Sequence, residues 1–257
     1  MSRFGKHAAL VYGTVCYAIF FVTFLYLIGW VTNLVVPVSI DSGTPGHVAL
    51  ALAVDLALIA LFGLQHSVMA RPRVKAAITR VIPAPVERAT YVLASSVAFL
   101  VTFAAWQPIP AAVWQAEGAL ATALTAGALL GFGIVLVTTF LIDHFDLFGL
   151  RQVWLAWRGK PYTEKRFVTP GPYRYIRHPL YVGWMIAFWS APTMTVGHLL
   201  FASGMTGYIL VAIRYEERDL LAALGESYRR WRASTPMFVP RVRVVRGESS
   251  APAAEAS

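Results

Sequence analysis

Four apolar runs, residues 8–36, 48–69, 90–106 and 120–142, are each long enough to carry a helix across about 30 Å of hydrocarbon. In lipid every backbone N–H and C=O must find a partner inside the segment, so such runs predict transmembrane helices. Composition agrees: of 257 residues 57% are hydrophobic and 14% charged, against about a quarter charged in soluble domains. A further apolar stretch, 180–213, is broken at 190–193 and again at Gly197 and His198, which predicts a hairpin. Its first arm, 180–189, covers only about half a bilayer at ~1.5 Å per residue, so a tilted or re-entrant arm shielded by neighbouring helices is expected. The fold class is therefore all-α integral membrane protein, four long helices plus a C-terminal hairpin, five to six membrane segments in all. Residues 1–246 form one domain, and the tail 247–257, with almost nothing to bury, is expected to be disordered.

The distribution of cations orients these segments. All 22 Lys and Arg fall before the first span, between the second and third, between 143 and 179, or after Ile213. The alternate loops, 39–47, 107–119 and 190–198, carry none. By the positive-inside rule both termini and the long loop before Pro179 face the cytoplasm, as expected in a bacterial inner membrane. The net charge of +9 thus reports sidedness, and nucleic acid is not an expected partner. Arg3 and Lys6 precede a run with no small-residue cleavage site after a short core, so the first span reads as retained. The segment 145–157, mixing Leu147, Leu150, Trp154 and Trp157 with Arg151 and Arg158, has the signature of an interfacial helix.

One cysteine, Cys16, excludes an intrachain disulfide, a Cys-based zinc site and an iron-sulfur cluster. His66, Asp143, His144 and Asp146 are acceptable metal-ligand types, but they lack a signature spacing, and no metal is expected. Asp55, deep in the second span, must be neutral, partnered or facing a cavity.

Chemistry concentrates in two polar clusters flanking the hairpin. Arg177 and His178 stand at the start of a helix with Pro179 in its first turn, where a missing N–H costs little. Glu216 and Glu217 are expected to leave the returning helix at the same level. Asp143, His144 and Asp146 sit where the fourth span emerges; on a continued helix the two aspartates share a face, so either could orient His144 or accept a proton. His66 lies at a similar depth. Taken singly, each of these residues also suits the ordinary dress of a membrane interface.

The blocks TPGPY (169–173), RHPLYVG (177–183), EERDL (216–220), GESY (225–228) and the Pro-bounded stretch 236–240 resemble the isoprenylcysteine carboxyl methyltransferase-like superfamily. LFGLQHSVM (61–69) and IDHFDLFGLRQV (142–153) resemble its nurim-like branch, in particular bacterial members that methylate a small thiol. The resemblance implies S-adenosylmethionine bound by residues 165–240 at the cytoplasmic face, and methyl transfer to methanethiol giving dimethyl sulfide, with hydrogen sulfide a possible first acceptor. It makes Tyr173, Arg177, His178, Tyr181, Glu216, Glu217 and Tyr228 the expected cofactor-binding residues. Tyr173, Tyr175, Tyr181 and Trp184 are aromatic candidates for holding a sulfonium, and Arg177 for clamping a carboxylate. A free thiol is mostly protonated at neutral pH, at or above the ~8.5 of cysteine, so a base is needed. His144 leads, assisted by Asp143 or Asp146, with His66 and Glu217 behind it. The small volatile thiol and membrane lipid are the expected partners. The rival readings are methylation of a prenylcysteine or lipid carboxylate, which needs no base, and a non-catalytic membrane scaffold.

Overall fold

The computed structural model describes residues 2–163 and 168–240; the tail and Lys165, Arg166 and Phe167 of the cofactor region lie outside them. Five helices are long and apolar enough to cross a membrane. They are α1 (Arg3–Thr32), α2 (Val48–Met69), α4 (Glu87–Ala105, entered through a 3-10 turn), α5 (Gly118–Ile142) and α9 (Val196–Leu224). Between them lie α3 (Pro72–Ile78), β1 (Ala112–Gln115), α6 (His144–Leu147), α7 (Leu150–Trp157), α8 (Pro179–Trp189) and β2 (Thr193–Thr195); α10 (Glu226–Ser234) follows.

Several boundaries differ from the sequence expectation for identifiable reasons. The first helix starts early because Ser2 caps it, accepting from Gly5 N at 3.1 Å, and stops early at Asn33 in the left-handed region. The returning arm of the hairpin continues past Ile213 to Leu224, so Glu216 and Glu217 project from within a helix rather than from its end. The segment 145–157 is two helices, not one. Gly149, at φ 87, turns the chain between them and lies so close to α4 that a Cβ there would come within 2.6 Å of Ala89 N. Asp143 is likewise no part of a continued helix: it breaks α5 from α6 and caps α6, accepting from Asp146 N at 3.3 Å. A two-stranded antiparallel sheet, β1 with β2, is a small unforeseen addition.

That sheet explains how a short arm closes the hairpin. α8 has 11 residues, about 16 Å of helix, and the chain beyond it is tied to the loop before α5. Trp114 Nε1 donates to Ala191 O at 3.0 Å and Ala116 N to Pro192 O at 2.8 Å. α8 itself packs on α5 through small residues, the way helices approach closely in lipid. A Cβ on Gly131 would lie 2.5 Å from Ala187 N, and one on Gly183 would lie 2.9 Å from Gly131 O.

The outside of the helices is apolar, as at Val15, Val22, Leu64, Leu130 and Val211, and the inside is aromatic. Trp30 is fully buried against Phe103, Trp106 and Phe201 at 5.2–5.4 Å between ring centres. Phe24, Phe132 and Trp184 continue that core toward the basic end. There the turn between α2 and α3 is joined to α9 by Arg71 and Asp219 at 3.2 Å, and α3 to α4 by Lys75 and Glu87 at 3.5 Å. At the opposite end Asp41 accepts from Asn33 Nδ2 at 2.8 Å and from Thr195 Oγ1 at 2.5 Å. Asp55 is fully buried, and its Oδ1 accepts from Gln107 N at 2.9 Å.

Candidate functional site

The breaks at 143 and 178 bring the two polar clusters to one place. Asp143, just beyond α5, and Asp146 on α6 meet Tyr173, Arg177 and His178, which precede α8, and Glu216 on α9 around a cavity of about 260 Å³. This is just under the ~300–1,000 Å³ usual for small-molecule sites. Tyr228 of α10 closes one side. Ile142, Leu147, Leu220, Val168 and Pro170 give it apolar walls.

Glu217 lies immediately behind this cavity. Its Oε1 accepts from Arg177 Nε at 2.7 Å and from His178 Nε2 at 3.0 Å; its Oε2 lies 2.9 Å from Arg232 Nε. Arg177 also donates from Nη1 to the carbonyls of Arg232, at 3.1 Å, and Thr235, at 2.6 Å. Most of its donors are therefore spent inside the protein, which limits the bidentate clamp expected of it. The backbone of the same segment is stitched to 236–237: Arg177 N donates to Pro236 O and His178 N to Met237 O. Tyr181 acts at one remove, donating to Glu216 Oε2 at 2.9 Å. Asp146 is held by Arg151 at 3.0 Å and by Tyr162 Oη at 3.2 Å.

Burial, reinforced by Glu216, pushes the Tyr173 phenol above its ordinary value. Tyr228, fully buried and near Glu217 and Glu216, is pushed up to about 12. Both remain O–H donors at neutral pH.

The two histidines expected to serve as bases are not at the cavity. Thr139 gives its hydroxyl proton to Leu136 O, so His144 Nδ1 must be the donor to Thr139 Oγ1 at 2.8 Å. His144 Nε2 then accepts from Tyr17 Oη at 2.8 Å, and the ring stacks on Phe140 at 4.1 Å. His66 repeats the pattern. Ser95 donates to Tyr91 O, so His66 Nδ1 donates to Ser95 Oγ at 3.0 Å and Nε2 accepts from Tyr91 Oη at 2.6 Å. Both lone pairs are engaged by phenols. Of the aromatic candidates, Tyr175 is 66% exposed and Trp184 packs into the core against Phe24 and Phe132; neither lines the cavity. Leu220 and Trp231 line it unforeseen. Each lies three or four residues from an expected site residue on the same helix, Glu216 and Tyr228, and that spacing was the available signal. No group of three or more potential metal ligands occurs among the described residues.

Residues 134–222 match the isoprenylcysteine carboxyl methyltransferase (ICMT) family. The chain is 49% identical over 236 residues to methanethiol S-methyltransferase of Mycobacterium tuberculosis, covering 91% of this chain and 97% of that one. It is 50% identical over 240 residues to methanethiol S-methyltransferase of Crocosphaera subtropica, covering 93% and 94%. It is also 32% identical over 178 residues to nurim of Pan troglodytes, covering 66% and 68%. No solved structure matches.

Proposed function

The chain belongs to the methanethiol S-methyltransferase family, and from that premise we propose that it methylates methanethiol with S-adenosylmethionine, giving dimethyl sulfide and S-adenosylhomocysteine. The observation that carries this reading is the convergence of Asp143, Asp146, Tyr173, Arg177, His178, Glu216 and Tyr228 on one cavity at the basic end. We place that end in the cytoplasm on the strength of the charge asymmetry.

The lining fits a zwitterionic sulfonium nucleoside. Carboxylates suit an ammonium group and ribose hydroxyls, the remaining Arg177 donors and the Tyr173 and Tyr228 hydroxyls suit a carboxylate, and the aromatic faces of Tyr173 and Trp231 suit a sulfonium or a purine. When bound, such a group supplies an electrophilic methyl carbon. Glu216, oriented by Tyr181, would hold a hydroxyl or ammonium of the donor. Glu217 would act through Arg177 and His178, fixing both at the rim. The apolar walls would shield the reacting sulfurs from water once the donor is bound, which favours a reaction in which a thiolate and a sulfonium become two neutral sulfur centres. Asp143 and Asp146, the expected helpers of the base, do face the cavity; Asp146 shares its charge with Arg151.

The test is headspace gas chromatography of the purified, detergent-solubilised protein given S-adenosylmethionine and methanethiol, with isothermal calorimetry of S-adenosylhomocysteine alongside. Dimethyl sulfide is expected. Cofactor binding without dimethyl sulfide would move the acceptor to a prenyl or lipid carboxylate, and absence of both would leave a scaffold.

A further inference from the structure

The site needs a base, and the Nε2 lone pairs of His66 and His144 are engaged by tyrosine hydroxyls away from the cavity. His178 offers one there. Its Nε2 lies 3.0 Å from Glu217 Oε1. A carboxylate held by two guanidiniums is ionised and only accepts hydrogen bonds, so the proton of the neutral ring sits on Nε2 and the lone pair on Nδ1. The bond from Nε2 is the only side-chain hydrogen bond of His178 among the described residues, which leaves Nδ1 for a bound molecule. Although His178 occupies the N-cap position of α8, where a side-chain acceptor ordinarily takes an N–H of the first turn, it makes no such bond. The residue is 5% exposed and lines the cavity.

We infer that His178 is the general base of the proposed thiol methylation, with Nδ1 as the accepting atom and Glu217 as the positioning residue that fixes its tautomer. The inference rests on the proposed reaction. Nδ1 takes the S–H proton of the acceptor; the electron pair left on that sulfur forms the new S–CH3 bond. The donor's S–CH3 bond breaks, and its electrons return to the sulfur of the neutral thioether product. The Nε2–H bond to Glu217 strengthens as the ring becomes cationic, the role a carboxylate plays behind a catalytic imidazole. Glu217 is held in turn by Arg177 and Arg232, so it cannot swing away to take the proton itself.

The test is His178→Gln in the full-length protein. The glutamine amide keeps an N–H for Glu217 but has no basic lone pair. Affinity for S-adenosylhomocysteine by calorimetry should stay within about threefold of the parent, while kcat/KM for methanethiol at pH 7 falls by about 100-fold or more, the usual contribution of a general base. The variant's kcat/KM should then climb about tenfold per pH unit below the thiol's own pKa, as the thiol ionises unaided, a steeper rise than the parent shows over the same range. Glu217→Gln, which keeps the side-chain shape but frees the tautomer, should lower kcat/KM and move the parent's pH profile; His178→Asn serves if His178→Gln does not fold. An active parent whose variants keep its pH profile would overturn the assignment alone. Loss of S-adenosylhomocysteine binding in His178→Gln, with turnover restored at saturating donor, would make His178 a cofactor ligand instead. A parent that binds S-adenosylhomocysteine but makes no dimethyl sulfide would overturn the reaction and the base with it.

Discussion

Arg177 Nε and Glu217 Oε1 stand 2.7 Å apart with side chains only 11% and 5% exposed, so this ion pair is largely withdrawn from water. Breaking such a pair from one side leaves an uncompensated charge and costs about 3–5 kcal/mol. Glu217→Ala is therefore expected to lower the thermal midpoint in detergent, loosen 232–240 from 171–178, and abolish S-adenosylhomocysteine binding. A variant with parental stability and affinity would show that the segment is held without the pair.

How this pair forms also shows what the sequence could and could not disclose. The RHP and EE blocks were visible as clusters, and hydrophobic runs placed them at one membrane level. Which of Glu216 and Glu217 faces the cavity was not visible, because that depends on α9 continuing as helix through both: consecutive residues point about 100° apart, so Glu216 lines the site and Glu217 turns behind it. The surroundings of His144 are hidden for a similar reason. The apolar run ends at Ile142 and leaves open whether the helix continues; Asp143 breaks it, and the new direction carries His144 toward Tyr17 on α1. The spans themselves were legible because lipid imposes length and apolarity on each segment alone, whereas the site depends on contacts between residues up to 58 apart, such as Arg177 with Thr235.

Tyr17→Phe removes the donor to His144 Nε2 and should cost about 1–3 kcal/mol of stability, the penalty of an unpaired buried acceptor, with cofactor affinity intact. pH gives a second readout. Burial lowers the folded pKa of His144 below its ordinary 6.5. Above pH 6.5 both states hold the neutral ring. Below it the unfolded chain binds the proton first, so stability falls as pH drops through 6.5 and levels off below the folded pKa. In denaturation across pH 5–8, His144→Asn should have a flatter dependence than the parent. If that variant instead kept full stability and cofactor affinity while losing turnover, His144 would be restored as the base.

Gly131 lets α5 and α8 touch backbone to backbone. In Gly131→Ala the new Cβ would stand 2.5 Å from Ala187 N and 2.7 Å from Gly183 O, atoms that cannot rotate away. The helices must separate, at about 1–3 kcal/mol by analogy with overpacked cores, and His178 would shift against Asp143. Lower thermal stability and weaker S-adenosylhomocysteine binding are expected together. Gly133→Ala, where a Cβ meets nothing within 4 Å, is the matched control and should leave both unchanged.

The sidedness of the bundle rests on cations alone: Asp41 and Glu117 lie at the non-basic end, and acidic residues contribute little to orientation. Arg80 and Thr44 are exposed on opposite loops, whereas Cys16 is 1% exposed and shielded from polar reagents. In intact bacterial cells a membrane-impermeant maleimide should label Thr44→Cys directly and Arg80→Cys only after the inner membrane is opened. The reverse pattern would put the cavity on the outer side, away from the cytoplasmic pool of S-adenosylmethionine, and so would count against the methyl-transfer reading as well as the topology.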